Sequence, residues 1–262
     1  LEAILETDRY GYTVEGGGVS FMVAEYRLPE FQVNVSTPTP NVAQNDTIAL
    51  TVDSRYFFGG TVSNATVEYN VIREPYSFRY TGAGFYDFSN VNYDGGPDEF
   101  VSISNEVANG TGVTDGDGKF MLEVPADLLD SRQSQTFKIE ATVTDETNQA
   151  VSGRASVVVH QGLLYVGVRP RSYVGTEGEE AAFELIAVDW ESVPIANQEL
   201  SVRIVERKWF SVREKAPDGR SNWTWEVEET PVTEGTVSTD SNGKASFSFT
   251  PPNGGVFKAY VS

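Results

Sequence analysis

Cysteine is absent from the 262-residue sequence, and histidine occurs only once, at His160. Without cysteine the chain can form no disulfide, thiolate nucleophile or cysteine metal site. A single imidazole cannot build a histidine metal cage or supply a Ser-His-Asp arrangement, and we find no Gly-x-Ser-x-Gly elbow or phosphate-binding glycine loop. Abundant carboxylates alone are a weak basis for glycoside hydrolysis. We therefore predict no enzymatic activity, no metal and no cofactor.

Long hydrophobic runs and basic residues are also scarce. No run approaches the roughly 20 apolar residues of a membrane helix, and 38 acidic residues outnumber 19 basic ones, which gives a formal net charge of -19. Nucleic acids and anionic membranes bind proteins largely through lysine and arginine, so we predict neither as a partner of this fragment. The first six residues carry acid where a signal peptide carries base, so we expect any export signal to lie outside this sequence.

Helical periodicity is nearly absent as well, and residues 126–130 allow at most one helical turn after Pro125. Short segments instead alternate apolar and polar residues between Gly, Pro, Asn and Asp, which is typical of half-buried antiparallel strands. Examples are residues 31–35, 47–52, 137–143, 155–159 and a closing segment at 254–260. The pattern predicts an all-β chain of tandem antiparallel seven-stranded β-sandwiches, with fibronectin/immunoglobulin-like architecture.

One pattern occurs twice, roughly 130 residues apart. Residues 54–69 precede a Thr-Asp-x-x-Gly-Lys turn at 114–119, and residues 188–202 precede a second such turn at 239–244. Glycine and asparagine in these turns supply the positive φ angles that tight hairpins require. Two copies of one plan predict two similar domains in series, and such arrays favour a scaffold over an active site.

The repeat predicts the domain boundaries. We assign residues 29–160 to one sandwich, with an insertion at about 73–110, and residues 161–262 to another, while residues 1–28 are interpreted as the C-terminal hairpin of a preceding domain. The junction at 159–163 contains almost no flexible linker, so we expect a fairly fixed angle between the two sandwiches. At this junction His160 is expected either to pack or to face solvent.

Two groups of aromatic residues are candidate binding surfaces. The insertion could line a ligand surface through Tyr76, Phe85 and Tyr86, although we favour the interpretation that its aromatics pin the insertion to its own sandwich. The second group is Trp209, Trp223 and Trp225, on a long hairpin of residues 199–213 and 222–229 with a turn at 216–219. Such tryptophans can bind sugar rings, but more often they stiffen a hairpin by cross-strand pairing.

Aspartate-rich turns raise the question of calcium. Residues 115–118 (Asp-Gly-Asp-Gly) and 94–99 contain the hard oxygen ligands that Ca²⁺ prefers. The first segment lacks the later positions of a calcium-binding loop, including the bidentate glutamate. A glycine-containing hairpin turn explains it without a metal ion, so we assign no metal site.

Two motifs resemble the alpha-2-macroglobulin family. Residues 26–33 (Tyr-x-x-Pro-x-Phe-x-Val) are similar to the start of its third macroglobulin-like domain, and residues 56–65 (Tyr-x-x-Gly-x-x-Val-x-Asn-Ala) are similar to a stretch of the same domain. The Thr-Asp-x-x-Gly turns and residues 223–232 resemble the bacterial branch. The resemblance covers essentially the whole chain and implies the end of the second domain followed by the third and fourth.

The resemblance implies a role as well as a fold. Members of the family are broad-spectrum protease inhibitors that trap a protease after it cuts a bait region, and many couple to it through a Cys-x-Glu-Gln thioester. This chain would be a non-catalytic part of their ring-like scaffold, outside the cytoplasm (periplasmic, cell-surface or secreted). Its partners would be neighbouring domains of the same longer chain and, through the whole protein, target proteases. A carbohydrate-binding or adhesin-type module is the alternative.

Overall fold

The computed structural model describes residues 29–89, 105–129, 131, 133–215 and 221–262. All regular secondary structure in these residues is β, and no helix there is long and apolar enough to cross a membrane. The strands are β1 (Phe31–Ser36), β2 (Asn41–Ala43), β3 (Thr47–Tyr56), β4 (Thr66–Pro75), β5 (Asn105–Val113), β6 (Lys119–Pro125), β7 (Gln135–Thr144), β8 (Ala150–His160), β9 (Tyr165–Pro170), β10 (Ala181–Val188), β11 (Glu199–Lys215), β12 (Ser221–Ser238), β13 (Lys244–Phe249) and β14 (Val256–Val261).

The first sandwich contains strands β1 to β8. One sheet has the order β1-β3-β6 and the other β2-β8-β7-β4-β5, with antiparallel pairing except between β2 and β8. Every second residue of β3 from Ile48 to Ser54 is buried, as the alternation predicts, because successive side chains point to opposite faces of a sheet. The buried core includes Phe31, Leu50 and Phe137. The segment after Pro125 is not helical where it is described.

The second sandwich pairs the sheet β13-β10-β9 with the sheet β12-β11-β14. Its buried core is small and includes Leu185, Leu200, Ile204 and Phe249. Strands β11 and β12 form the predicted long hairpin. Because β14 pairs with β11 only between Val202 and Arg207, residues 208–215 of β11 pair with β12 alone and form a two-stranded ribbon. The prediction of an all-β fold of antiparallel sandwiches is confirmed.

The Thr-Asp-x-x-Gly-Lys repeat has the same structure in both sandwiches. In the first, the buried Thr114 hydroxyl donates to the Val62 carbonyl over 2.7 Å and accepts from the Ala65 N–H over 2.9 Å. In the second, the Thr239 hydroxyl donates to the Ile195 carbonyl over 2.7 Å and accepts from the Gln198 N–H over 2.9 Å. Each threonine therefore connects its turn to the loop that precedes a long strand, β4 in the first sandwich and β11 in the second.

The aspartates of the two turns hold the hairpins closed. Asp115 Oδ1 accepts the N–H groups of Asp117 and Lys119, and Asp240 Oδ1 makes the equivalent two bonds. These side-chain bonds to following backbone amides are a common stabiliser of turns. Gly118 and Gly243 occupy the left-handed region, at φ 73° and 70°. The aspartates thus act as structural turn residues in both copies.

Candidate functional site

Hydrogen bonds and stacked aromatic rings join the two sandwiches at their junction. Strand β8 ends at His160, whose side chain is 1% exposed, and β9 begins at Tyr165. The His160 ring stacks on Trp190, with ring centroids 4.2 Å apart and an interplanar angle of 10°. Trp190 Nε1 also donates a hydrogen bond of 2.8 Å to the Gly162 carbonyl. The single histidine therefore packs at the junction, which is one of the two outcomes expected from its position.

A directed chain of hydrogen bonds runs through His160. The amide oxygen of Asn41 can only accept, so His160 Nε2, 3.0 Å away, carries the proton. His160 Nδ1 is then the acceptor, and the Tyr165 hydroxyl donates to it over 2.7 Å. Ser134 Oγ donates to the Tyr165 hydroxyl over 2.8 Å and accepts from the Gln161 N–H over 3.1 Å. The neutral Nε2-protonated imidazole satisfies every member of this chain.

Burial keeps the junction uncharged. It lowers the pKa of His160 to about 4, so the imidazole is neutral near pH 7. Burial likewise raises the pKa of Tyr165 to about 12, against an opposing effect of the hydrogen bond from Ser134. A buried polar network whose members are all paired fixes one arrangement of its elements, since any shift leaves a buried group unpaired. The network joins β2, β8 and β9, and so joins the two sandwiches.

A second contact is made by residues 76–89, which we call the strap. Phe78 of the strap stacks on Tyr165, with centroids 4.0 Å apart and an interplanar angle of 11°. Asp87 and Val168 exchange two backbone hydrogen bonds of 2.9 Å, so the strap pairs with the edge of β9. Gly167 permits this approach, because a Cβ there would lie 2.5 Å from the ring of Phe88.

The strap covers apolar surface of the second sandwich. Ile186 and Val188 of β10 form a buried cluster with Tyr86, and other strap aromatics pack around it. We predicted that the insertion is pinned to its own sandwich, and for the strap this is wrong. Its aromatics instead pack on β9 and β10 of the other sandwich, where Ile186 and Val188 lie in a cluster separate from that sandwich's own core. Composition predicted their burial but could not name the surface that buries them.

The strap residues proposed as a ligand surface have different surroundings. Tyr76 meets the edge of His160 at a centroid distance of 5.6 Å, and Tyr86 is buried with the guanidinium of Arg169 4.6 Å from its ring centroid. Both therefore belong to the junction. Phe85 is 78% exposed and lines a shallow groove with Tyr173. Of the three, only Phe85 faces solvent.

The tryptophan hairpin projects from the second sandwich. Trp209 lies opposite Val227 and Trp223 opposite Arg213, so Trp209 and Trp223 share one face of the ribbon. Their side chains are 42% and 66% exposed, and the guanidinium of Arg207 lies 5.2 Å from the Trp209 ring centroid. The backbone of Trp225 is paired with Ser211, but its side chain and the turn at 216–219 are outside the described residues.

The two aspartate-rich segments raised for calcium have different outcomes. Asp115 is engaged in its turn through Oδ1, as described above. Residues 94–99 lie outside the described part of the chain. Among the residues that the structure describes, no three His, Asp or Glu side chains are grouped so that they could hold a metal ion.

Comparison with known families assigns both sandwiches. The model of the macroglobulin domain MG3 matches residues 25–126, and the model of bacterial macroglobulin domain 6 matches residues 167–258. The chain belongs to the bacterial alpha-2-macroglobulin family. The second model carries the number six, whereas the resemblance counted that sandwich as the fourth domain. Each sandwich therefore contains a match to one macroglobulin domain model.

Two curated relatives are similar to the chain. The chain is 24% identical over 260 residues to an alpha-2-macroglobulin homolog of Nostoc sp. and 24% identical over 190 residues to alpha-2-macroglobulin of Thermotoga maritima. These alignments cover 96% and 71% of the chain, but only 13% and 11% of the two relatives.

Among solved structures, methylamine-reacted Salmonella alpha-2-macroglobulin has a TM-score of 0.59 at 15% identity, covering 90% of the chain and 16% of that structure. Native Escherichia coli alpha-2-macroglobulin has a TM-score of 0.57 at 14% identity, covering 94% and 17%. At these identities the likeness concerns the fold alone. The chain therefore corresponds in length to a small part of an alpha-2-macroglobulin.

Proposed function

We propose that the chain is a non-catalytic structural segment of a bacterial alpha-2-macroglobulin-like broad-spectrum protease inhibitor, where it forms part of the ring-like scaffold that supports trapping. The observation that carries the proposal is the junction, at which two macroglobulin domains are fastened by the His160–Trp190 stack and by the strap. Its partners are neighbouring domains of the longer chain and, through the whole protein, target proteases. The protein acts outside the cytoplasm, at the periplasm, cell surface or exterior.

A junction with these contacts suits a segment that moves as a rigid body. Two attachments resist rotation better than one linker, because the stack and the strap would have to break together. A rearrangement elsewhere in the parent would then move residues 29–160 and 161–262 as one body. We take these ranges as the domains, with residues 1–28 as the end of the preceding one.

The test uses the whole parent protein. It is incubated with trypsin, with and without methylamine pretreatment, and a denaturing gel is inspected for a covalent adduct. An adduct that methylamine abolishes supports a thioester trap, whose cysteine must lie outside this chain because these residues contain none. Residues 1–262 alone should neither inhibit nor hydrolyse protein substrates. Inhibition by this fragment would overturn the scaffold role.

Carbohydrate binding is a second candidate because the ribbon presents Trp223 to solvent. An exposed indole on a stiff ribbon can stack on the apolar face of a sugar ring, and a neighbouring Trp209 on the same face extends the platform. The same exposure would suit contact with another domain of the parent. Only a binding measurement separates the two uses.

For this candidate we expect Trp223→Ala to abolish glycan-array binding, with a loss of at least tenfold in affinity for any bound glycan. Tyr173→Ala is the matched control, since Tyr173 is also an exposed aromatic and lies outside the ribbon. Both variants should fold, because neither side chain is buried. Silence of the unaltered chain across a broad array, or equal losses in the two variants, would remove carbohydrate binding from consideration.

A further inference from the structure

The loop at residues 55–61 of the first sandwich has the same structure as the loop at 188–194 of the second. The backbones of Arg55 and Thr61 form an isolated antiparallel β-bridge in the first loop, and those of Val188 and Pro194 form one in the second. The two loops contain equal numbers of residues, and each joins the second strand of its three-stranded sheet to the long strand that follows. Their equivalence can therefore be followed residue by residue.

Backbone hydrogen bonds fix that correspondence. Tyr56 N–H donates to Gly60 O over 3.2 Å in the first loop, and Asp189 N–H donates to Val193 O over 2.9 Å in the second. Gly59 and Ser192, the fifth residues of the two loops, both have positive φ, and each donates its N–H to the carbonyl of the loop's second residue, Tyr56 or Asp189. Phe57, the third residue of the first loop, is thus the counterpart of Trp190.

In the second sandwich the residue at this position, Trp190, packs on the chain that enters the sandwich. Trp190 stacks on His160, the last residue of the preceding sandwich's final strand, and donates to the carbonyl of Gly162 in the connecting segment. In the first sandwich the same position presents Phe57 with 65% of its surface exposed. A bulky apolar ring thus faces solvent where its counterpart packs on the chain that enters the sandwich.

The register of the first strand locates what Phe57 should contact. Tyr165 pairs with Val188 in the second sandwich, and Gln32 pairs with Arg55 in the first, so Tyr165 and Gln32 correspond. Counting back equally from these residues, the counterpart of His160 is Arg27. Phe57 already lies beside this end of the chain, because its N–H donates to the Glu30 carbonyl over 2.9 Å.

We propose that Phe57 is the docking residue for the segment Tyr26-Arg27-Leu28, as Trp190 is for His160. The segment lies outside the described residues, and its chemistry is suitable. A tyrosine can pack against a phenylalanine ring, a guanidinium can lie over the ring face, and a leucine can cover its edge. The proposal requires no protease activity, so it stands or falls independently of the proposed function.

The neighbouring aromatic provides a matched control. Phe58 is 77% exposed and its ring stacks on Tyr56 at a centroid distance of 4.9 Å. It corresponds to Glu191, whose backbone N–H bonds to Asp189 within its own loop. The repeat therefore assigns docking to Phe57 and not to Phe58, although the two residues are adjacent and similar in size and exposure.

The experiment is limited trypsin digestion of residues 1–262, with cleavage between Arg27 and Leu28 followed by intact mass. We expect Phe57→Ala to accelerate this cleavage at least tenfold. Phe58→Ala should leave the rate within twofold of the unaltered chain, and Phe57→Trp, which installs the residue found in the second loop, should keep the bond protected. Urea unfolding of each variant checks that the sandwich itself is intact.

A cleavage rate in Phe57→Ala equal to that of the unaltered chain would overturn the proposal. Equal acceleration in Phe57→Ala and Phe58→Ala would also overturn it, because general loosening of the loop would then explain the effect. A photo-crosslinking phenylalanine analogue provides an independent measurement. Placed at position 57 it should couple within residues 26–28, whereas coupling elsewhere on the chain counts against the assignment.

Discussion

Gly243→Ala is expected to lower the free energy of unfolding of the second sandwich by about 3 kcal/mol. Gly243 has φ 70°, where a residue with a Cβ is strained by about 1–2 kcal/mol. A Cβ there would also lie 2.7 Å from the Ala187 carbonyl oxygen and 2.8 Å from Pro194 Cβ. The Ala187 carbonyl cannot move freely, since it accepts a backbone hydrogen bond from the Ile195 N–H.

The Gly178→Ala variant distinguishes the strain of a positive φ from the steric contact of the added Cβ. Gly178 has φ 78°, but a Cβ there would meet no atom within 4 Å. This variant should lose only the conformational part, about 1–2 kcal/mol. The measurement is urea unfolding of both variants and the unaltered chain, followed by circular dichroism. Equal losses in the two variants would mean that the steric contact at Gly243 is relieved at little cost.

The second large effect concerns pH and His160. Its pKa is about 4 in the folded chain and close to 6.5 when unfolded. Above pH 6.5 both states are neutral at this residue, so it adds no pH dependence. Below pH 6.5 the unfolded chain takes up a proton that the folded chain refuses, and stability falls by about 1.4 kcal/mol per pH unit. We expect a loss of about 2 kcal/mol between pH 6.5 and 5.

A variant without the imidazole isolates this contribution from that of the carboxylates. His160→Gln should be less stable than the unaltered chain at pH 7, but the difference between the two should shrink by about 2 kcal/mol at pH 5. Urea unfolding at a series of pH values, followed by tryptophan fluorescence, gives both curves, and pH 5 stays above the pI of about 4.4. Parallel curves would show that His160 titrates normally in the folded chain.

Much of the architecture could be predicted because its causes are local. The alternation in β3 and β7 predicted strands there, since period-2 burial leaves a direct trace in the order of residues. The turns at 114–119 and 239–244 were also predictable, because Asp, Asn and Gly favour the required φ angles and side-chain bonds. The long hairpin of β11 and β12 followed from two strand-like segments around one turn.

The junction could not be predicted in the same way, because its contacts join distant positions. The stack of His160 on Trp190 depends on how the second sandwich is placed, and nothing local to either residue specifies a partner. The strap is a similar case, since its composition indicates burial without indicating a surface. One signal was available: Trp190 and Phe57 occupy equivalent positions of the repeat, and a large aromatic in both copies of an otherwise variable loop indicates a shared contact.

The pairing of Asp87 with Val168 has a consequence for the second sandwich when it is produced without the first. Its sheet order β13-β10-β9 leaves β9 at an edge, and the strap is the element that pairs with the outer side of that strand. A free edge offers unpaired backbone groups to strands of other molecules, which is a common route to self-association. The first sandwich therefore shields its neighbour from aggregation, and an expression boundary at residue 161 would remove that shield.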